Sequence, residues 1–285
     1  MRYIFKKAHL PLLNKVIHGE GSGRDAWTVA RLMQDRDGMQ HQLPSELIML
    51  ERGVAEGDIW SACELARTYF EHGGDLSLPR ALSLWKRAAE VGDNGALWDL
   101  ANRPIRDRIL AYRLPSGDDY TTIQMRCAML TELHLTGFGT ARWCDMTDDE
   151  RLRRCRALVA ECCPVLGIDQ IYLFTTPRLT FNGNTVDALA YPDGRVELRH
   201  ELLPDIERTV QLIFHELGHH VAFDMMRGGS KGQRLQQIYG ISSERMASWS
   251  RGDMGYEVPT SEEDPDTLSY GVYTDWAAYF IMRFN

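Results

Sequence analysis

The chain contains no apolar run near the ~20 residues needed to cross a bilayer, so no membrane span is expected. It carries 32 Lys and Arg against 40 Asp and Glu, a net charge of −8. That balance argues against a protein that holds nucleic acid through bulk positive charge. Its six cysteines, at 63, 127, 144, 155, 162 and 163, form no C-x-x-C pair. Cys155 and Cys162 are seven apart on one expected helix and read as small buried hydrophobes. A secretory leader is also missing from the start. Lys6 and Lys7 precede Leu10–Leu13, but that apolar stretch is short, is broken by Pro11, and has no small-residue cleavage site after it. The expectation is a cytoplasmic protein with reduced thiols. Delivery into another cell by a non-standard route stays open. What is there is ordinary for a globular chain of 285 residues: 44% hydrophobic and 25% charged, enough for one large or two small domains.

The informative stretch is His215-Glu216-Leu217-Gly218-His219. Residues four apart share a helix face, so His215 and His219 can aim imidazole nitrogens at one metal ion. Glu216, one step round, is placed to work on a water at that metal. Two zinc ligands and a general base are the chemistry of the H-E-x-x-H pattern. The flanks predict a helix over Pro204–Arg227. Pro204 suits a first turn, and Asp205 and Glu207 bring acid to the positive helix end. Val210, Ile213, Leu217 and Val221 recur at helical spacing as a core face. Gly228 and Gly229 stop the helix. A buried histidine pair needs partners, and a metal supplies them. His200-Glu201-Leu202 begins the same way, but Pro204 stands where the second histidine belongs. His220 is expected to face away from His219. His9, His18, His41, His72 and His134 read as ordinary polar residues.

Around the motif the pattern is helix, strands, helix. Tyr120–Leu135 reads as a helix. Thr147, with Glu150 three residues on, caps another that runs to Pro164. Ile168–Thr175, Thr180–Thr185, Val186–Tyr191 and Arg195–Arg199 read as strands. Turns fall at Asn182-Gly183-Asn184 and Pro192-Asp193-Gly194. Arg195–Arg199 is expected to offer an edge to an extended peptide. After Gly229 the chain reads as a polar loop to Leu235. Short helices follow at Gln236–Tyr239 and Ser242–Trp249. An acidic loop spans Asp253–Thr267, and an apolar helix Tyr273–Phe284 ends the chain.

This order, closed by a second inward-facing helix, resembles the gluzincin-type zinc metallopeptidases over about Thr147–Asn285. The resemblance implies a zincin-like domain: a small, mostly antiparallel sheet packed on the H-E-x-x-H helix and a C-terminal helix. It implies a third zinc ligand, since catalytic zinc usually takes three. In that clan the ligand is a glutamate in an E-x-x-A pattern. Asp275-Trp276-Ala277-Ala278 fits with aspartate in its place, and a shift of one puts Thr274 there. Glu244-Arg245-Met246-Ala247 also reads E-x-x-A. Asp275 is favoured because its helix is apolar and suited to pack on the metal helix. An acid at a helix start is also favourable in itself. Ser269-Tyr270-Gly271 looks like a stretch found in small members of the clan. The resemblance makes Tyr270 a donor to the oxyanion, with Tyr273 as its rival.

The first third carries an echo. Ala55-Glu56-Gly57-Asp58 and Glu90-Val91-Gly92-Asp93 are 35 residues apart, as are Ser61/Ala96, Leu65/Leu100 and Ala66/Ala101. Such a period marks stacked helix–turn–helix units. Ala81–Asp93 resembles the core of the SEL-one-like repeat, a relative of the tetratricopeptide repeat, over about Asp25–Arg103. That likeness implies a right-handed helical solenoid used for protein contacts; a helical lid on the next domain is the plainer alternative. The fold class expected is α+β: a lead-in at 1–24, helical repeats at 25–103, a junction at 104–119 broken by Pro104 and Pro115, and a zincin-like domain at 120–285. The function expected is a zinc-dependent endopeptidase acting on a protein or peptide substrate, with the repeats recruiting a substrate or partner. Its rivals are a repeat-based binding module with a structural or degenerate zinc site, and a zinc hydrolase of another bond.

Overall fold

The computed structural model describes residues 10–34, 43–74, 77–114, 119–135, 143–181 and 183–240. The chain divides into two compact units, Met1–Pro104 and Ile105–Asn285. Most described residues are helical, and five short strands complete an α+β fold. No described helix is long and apolar enough to cross a membrane.

In the first unit, α1 (Leu10–Ile17), α2 (Gly23–Gln34), α3 (Leu43–Ala55), α4 (Ile59–His72), α5 (Leu78–Glu90) and α6 (Asn94–Asn102) pack each on the next. The 35-residue echo is visible as one turn built twice. Gly57 and Gly92 adopt φ of 81° and 82°, a region open to glycine without penalty. The next residue in each copy, Asp58 or Asp93, caps the following helix. Asp58 accepts from the Ser61 amide and Asp93 from the Ala96 amide, both at 2.8 Å. Helix spacing then buries Leu65, Ala66, Ala81, Trp85, Ala88 and Ala96. Phe70 lies 5.5 Å from Trp85, ring to ring.

The second unit opens with α7 (Ile105–Ala111), inside the stretch expected to be an irregular junction. Pro104 precedes the helix rather than interrupting it, so its missing N–H leaves no gap. Ile105 and Ile109 anchor α7 by burial. Then come α8 (Asp119–Leu135) and α9 (Asp148–Leu166). Thr147 caps α9 by accepting from the Glu150 amide. The helix passes Pro164, where it was expected to stop, and ends at Gly167 in the left-handed region. The donor that proline lacks would have served the carbonyl of Ala160, an exposed residue where solvent can take its place.

Strands β1 (Tyr172–Thr176), β4 (Ala188–Tyr191) and β5 (Arg195–Arg199) form one sheet in the order β1-β5-β4. β4 and β5 are the expected hairpin, turned by Pro192-Asp193-Gly194. β1 joins β5 in parallel. Two-residue strands β2 (Thr180–Phe181) and β3 (Asn184–Thr185) pair apart from it. β5 is therefore central and offers no edge, contrary to expectation. β1 and β4 are the edge strands, and Leu173, Val196 and Leu198 are buried on one face of the sheet.

The helix carrying the H-E-x-x-H motif, α10, spans Ile206–Arg227, and α11 runs Gly229–Tyr239 where a polar loop to Leu235 and a short helix at Gln236–Tyr239 were expected. Two features make α11 a helix. Leu235 is buried, and Lys231 bridges Asp224 at 2.6 Å and Asp169 at 2.9 Å. Gly232 permits the approach, since a Cβ there would lie 2.9 Å from the Met225 carbonyl oxygen. The free cysteines 127, 155, 162 and 163 are buried, and burial pushes the Cys155 thiol up to about 12.

Replacing Asp58 with Ala removes the acceptor at the α4 N-terminus. We expect a loss of about 1 kcal/mol, measured as a lowered midpoint in urea denaturation. An unchanged midpoint would show that the repeat turn does not depend on its cap.

Candidate metal centre

Helix α10 starts two residues later than expected. Asp205 is the N-cap, its carboxylate accepting from the Arg208 amide at 3.0 Å, and Pro204 lies outside. Side chains pin the segment that leads in. Thr209 Oγ1 donates to the Leu202 carbonyl at 2.9 Å and Trp143 Nε1 to the Leu203 carbonyl at 3.0 Å. The Arg151 guanidinium holds the carbonyls of Trp143 and Cys144 in turn. The expected core face forms, with Val210, Ile213, Leu217 and Val221 all buried. Helix position is thereby fixed before any metal is considered.

His215 and His219 converge. Their Nε2 atoms are 3.3 Å apart, with ring planes at 86°. Two nitrogens bound to one zinc at about 2.05 Å and a tetrahedral angle are themselves about 3.3 Å apart. Burial depresses the pKa of both rings. His215 falls to about 4, helped by the nearby Arg208 charge. His219 falls to about 3, helped by His215 and His220. At neutral pH both rings are neutral, the state that ligates a metal. The residues present therefore fit a divalent ion.

Glu216 lies 4% exposed beside the edge of the sheet. The backbone amide of Ala190 acts on its carboxyl, favouring the ionised form. The ladder explains why that amide is available. The Arg199 amide donates to the Asp187 carbonyl, so in the β4–β5 pairing residues 187, 189 and 191 face β5. Ala188 and Ala190 face outward, toward the open edge. Burial raises the Glu216 pKa to about 8, against the lowering effect of that amide. Arg208, two turns before His215 on the same face, donates to Asp187 at 2.8 Å.

Among the described residues, His200 and His220 stand apart from the pair. His200 lies on a short 3-10 turn, 3.1 Å from Asp148. His220 turns from the pair into the core, its ring edge-on to Phe223 at 5.5 Å. Asp275, Tyr270, Glu244, Tyr273 and Thr274 lie outside the described residues. Among the described residues no group of three His, Cys, Asp or Glu side chains is arranged to hold a metal. The Ala190 contact and the position of Arg208 were not foreseen. Both depend on how β4 registers against β5 and α10, and no motif encodes that.

The chain matches no family model, and the searches of curated proteins and of solved structures found no match.

The raised pKa of Glu216 has a consequence for stability. Below about pH 4.5 folded and unfolded chains both hold the proton. Between there and about pH 8 the unfolded chain ionises while the folded one does not, so stability falls as pH rises. The full difference corresponds to roughly 5 kcal/mol at most. Metal-free Glu216→Gln has no such titration. Its melting temperature should gain on the parent protein as pH is raised from 5 to 8, as followed by circular dichroism with a chelator present. A gap that stays constant with pH would rule out a buried neutral acid.

Proposed function

We propose that the chain is a zinc-dependent endopeptidase with a zincin-like domain, and that its helical repeats, SEL-one-like in sequence, recruit a protein substrate or partner. One observation carries the proposal. Two neutral, converging imidazoles sit one residue from a buried carboxyl, beside the open edge of a strand.

His215, His219 and a carboxylate, Asp275 in preference to Glu244, would hold the metal. When bound, zinc supplies Lewis acidity: it lowers the pKa of water and polarises a carbonyl. With a cation bound beside it, Glu216 would favour its ionised form and be able to act as a base. Glu216 then takes the proton of the attacking water. Tyr270 donates to the developing oxyanion. The outward amide and carbonyl of Ala188 on β4 give an extended substrate a backbone to pair with. This edge takes the role first expected of Arg195–Arg199.

Metal analysis with a cleavage assay tests the reading. The purified protein should contain about one zinc per chain and cleave casein or a peptide library, with cleavage abolished by chelator. Glu216→Gln should keep its zinc and lose on the order of 10²–10⁴-fold in rate. His219→Ala should lose the zinc. Of Asp275→Ala and Glu244→Ala, the one that empties the site marks the third ligand. Zinc bound tightly with no cleavage of any peptide would favour the binding module with a structural or degenerate site.

A further inference from the structure

The open edge of β4 is short, and groups of this chain close both ends of it. In the β4–β5 pairing Ala188 and Ala190 turn their backbone groups away from β5. Before them, the Val186 amide is taken by the Leu179 carbonyl at 3.1 Å. The carbonyl of a strand residue points to the same side as its amide, so the segment leading into β2 occupies that side of Val186. After them comes Pro192, which has no amide to give. Its carbonyl accepts from Arg227 Nη2 at 2.5 Å. A ladder built on this edge therefore stops at Val186 on one side and at Pro192 on the other.

What lies between is a small set of groups. Among the described residues no hydrogen bond reaches the Ala188 amide, the Ala188 carbonyl or the Ala190 carbonyl. The Ala190 amide acts on the Glu216 carboxyl. The edge thus offers one donor and two acceptors. The acceptors stand two residues apart, about 7 Å along a strand. Ala188 and Ala190 lie on the face that carries Leu198 and Val196, and their methyl groups give a substrate side chain little to hold. A long edge adds hydrogen bonds with every further pair of substrate residues. Here no further pair exists, whichever direction the substrate runs.

We propose that the substrate is an extended segment gripped by β4 over about three residues only, through the Ala188 amide and the Ala188 and Ala190 carbonyls, so that a longer peptide gains nothing from this edge. The class of substrate is then a flexible oligopeptide or an unstructured stretch of protein, taken without regard to its length. This inference rests on the reading of the site as a peptidase, and on the strand edge that reading uses.

Two peptide series on the purified zinc-bearing chain test it. The first shares one central sequence and grows from about six to about twelve residues. Its kcat/KM should vary by less than about threefold. The second is a scan of single N-methyl groups, outside the scissile bond. One or two positions, no more than two residues apart, should each lose about tenfold in kcat/KM, and positions further out should lose nothing. Ala188→Pro removes the one open amide from a strand edge that tolerates proline. It should keep its zinc and lose about tenfold in kcat/KM. A steady rise of kcat/KM with length, three or more sensitive positions at alternate residues, no sensitive position at all, or an undiminished Ala188→Pro would overturn the inference. If that variant fails to hold zinc, the two series on the parent chain decide. Cleavage of no peptide removes the peptidase reading and this inference with it, whereas cleavage with a long ladder removes the inference alone.

Discussion

Two imidazole nitrogens held a hydrogen-bond length apart on a buried helix face are the constraint on which the second unit turns. In water such a pair is unremarkable. On α10 it is costly to charge, because partial burial strips hydration from both rings. The protein meets this by keeping both rings neutral and by fixing the helix with contacts that have nothing to do with chemistry: the Asp205 cap, the Thr209 and Trp143 bonds to the preceding loop, and the Lys231 bridge at the far end. A rigid scaffold is what lets an i, i+4 pair hold a separation that suits one ion.

The same helix disposes of the sheet's open edge. An exposed edge carries unpaired amides and invites unwanted pairing. The two edges of this sheet are treated differently. On β1, Arg156 Nε donates to the Leu173 carbonyl at 2.9 Å, which occupies a backbone acceptor. On β4, the Ala190 amide acts on the Glu216 carboxyl. A catalytic-type residue therefore also serves as an edge partner. Strand, acid and histidine pair are mechanically one object, and a slip of β4 by one residue would turn the Ala190 amide toward β5 and strand the carboxyl.

Much of this was readable from residues. The H-E-x-x-H helix, its core face, the Thr147 cap, the Pro192-Asp193-Gly194 hairpin and the repeated Gly-Asp turn all rest on local rules: side-chain spacing, cap geometry and positive φ. Where local rules were applied to punctuation alone they misled. Pro104 and Pro164 were read as breaks, yet one stands at a helix start and the other costs only a bond that solvent replaces. Gly228 and Gly229 marked the end of α10 correctly but hid α11, which burial of Leu235 and the close fit at Gly232 stabilise.

The sequence by itself determined the helix that carries His215, Glu216 and His219, and the 35-residue step of the first unit, because both are set within a few turns of backbone. Tertiary structure alone decided that β5 is central and β4 an edge, and that the Ala190 amide acts on the Glu216 carboxyl. Each of those facts concerns groups distant along the chain. Nothing in one residue's own rotamers or φ, ψ preference records which distant neighbour will remove it from water.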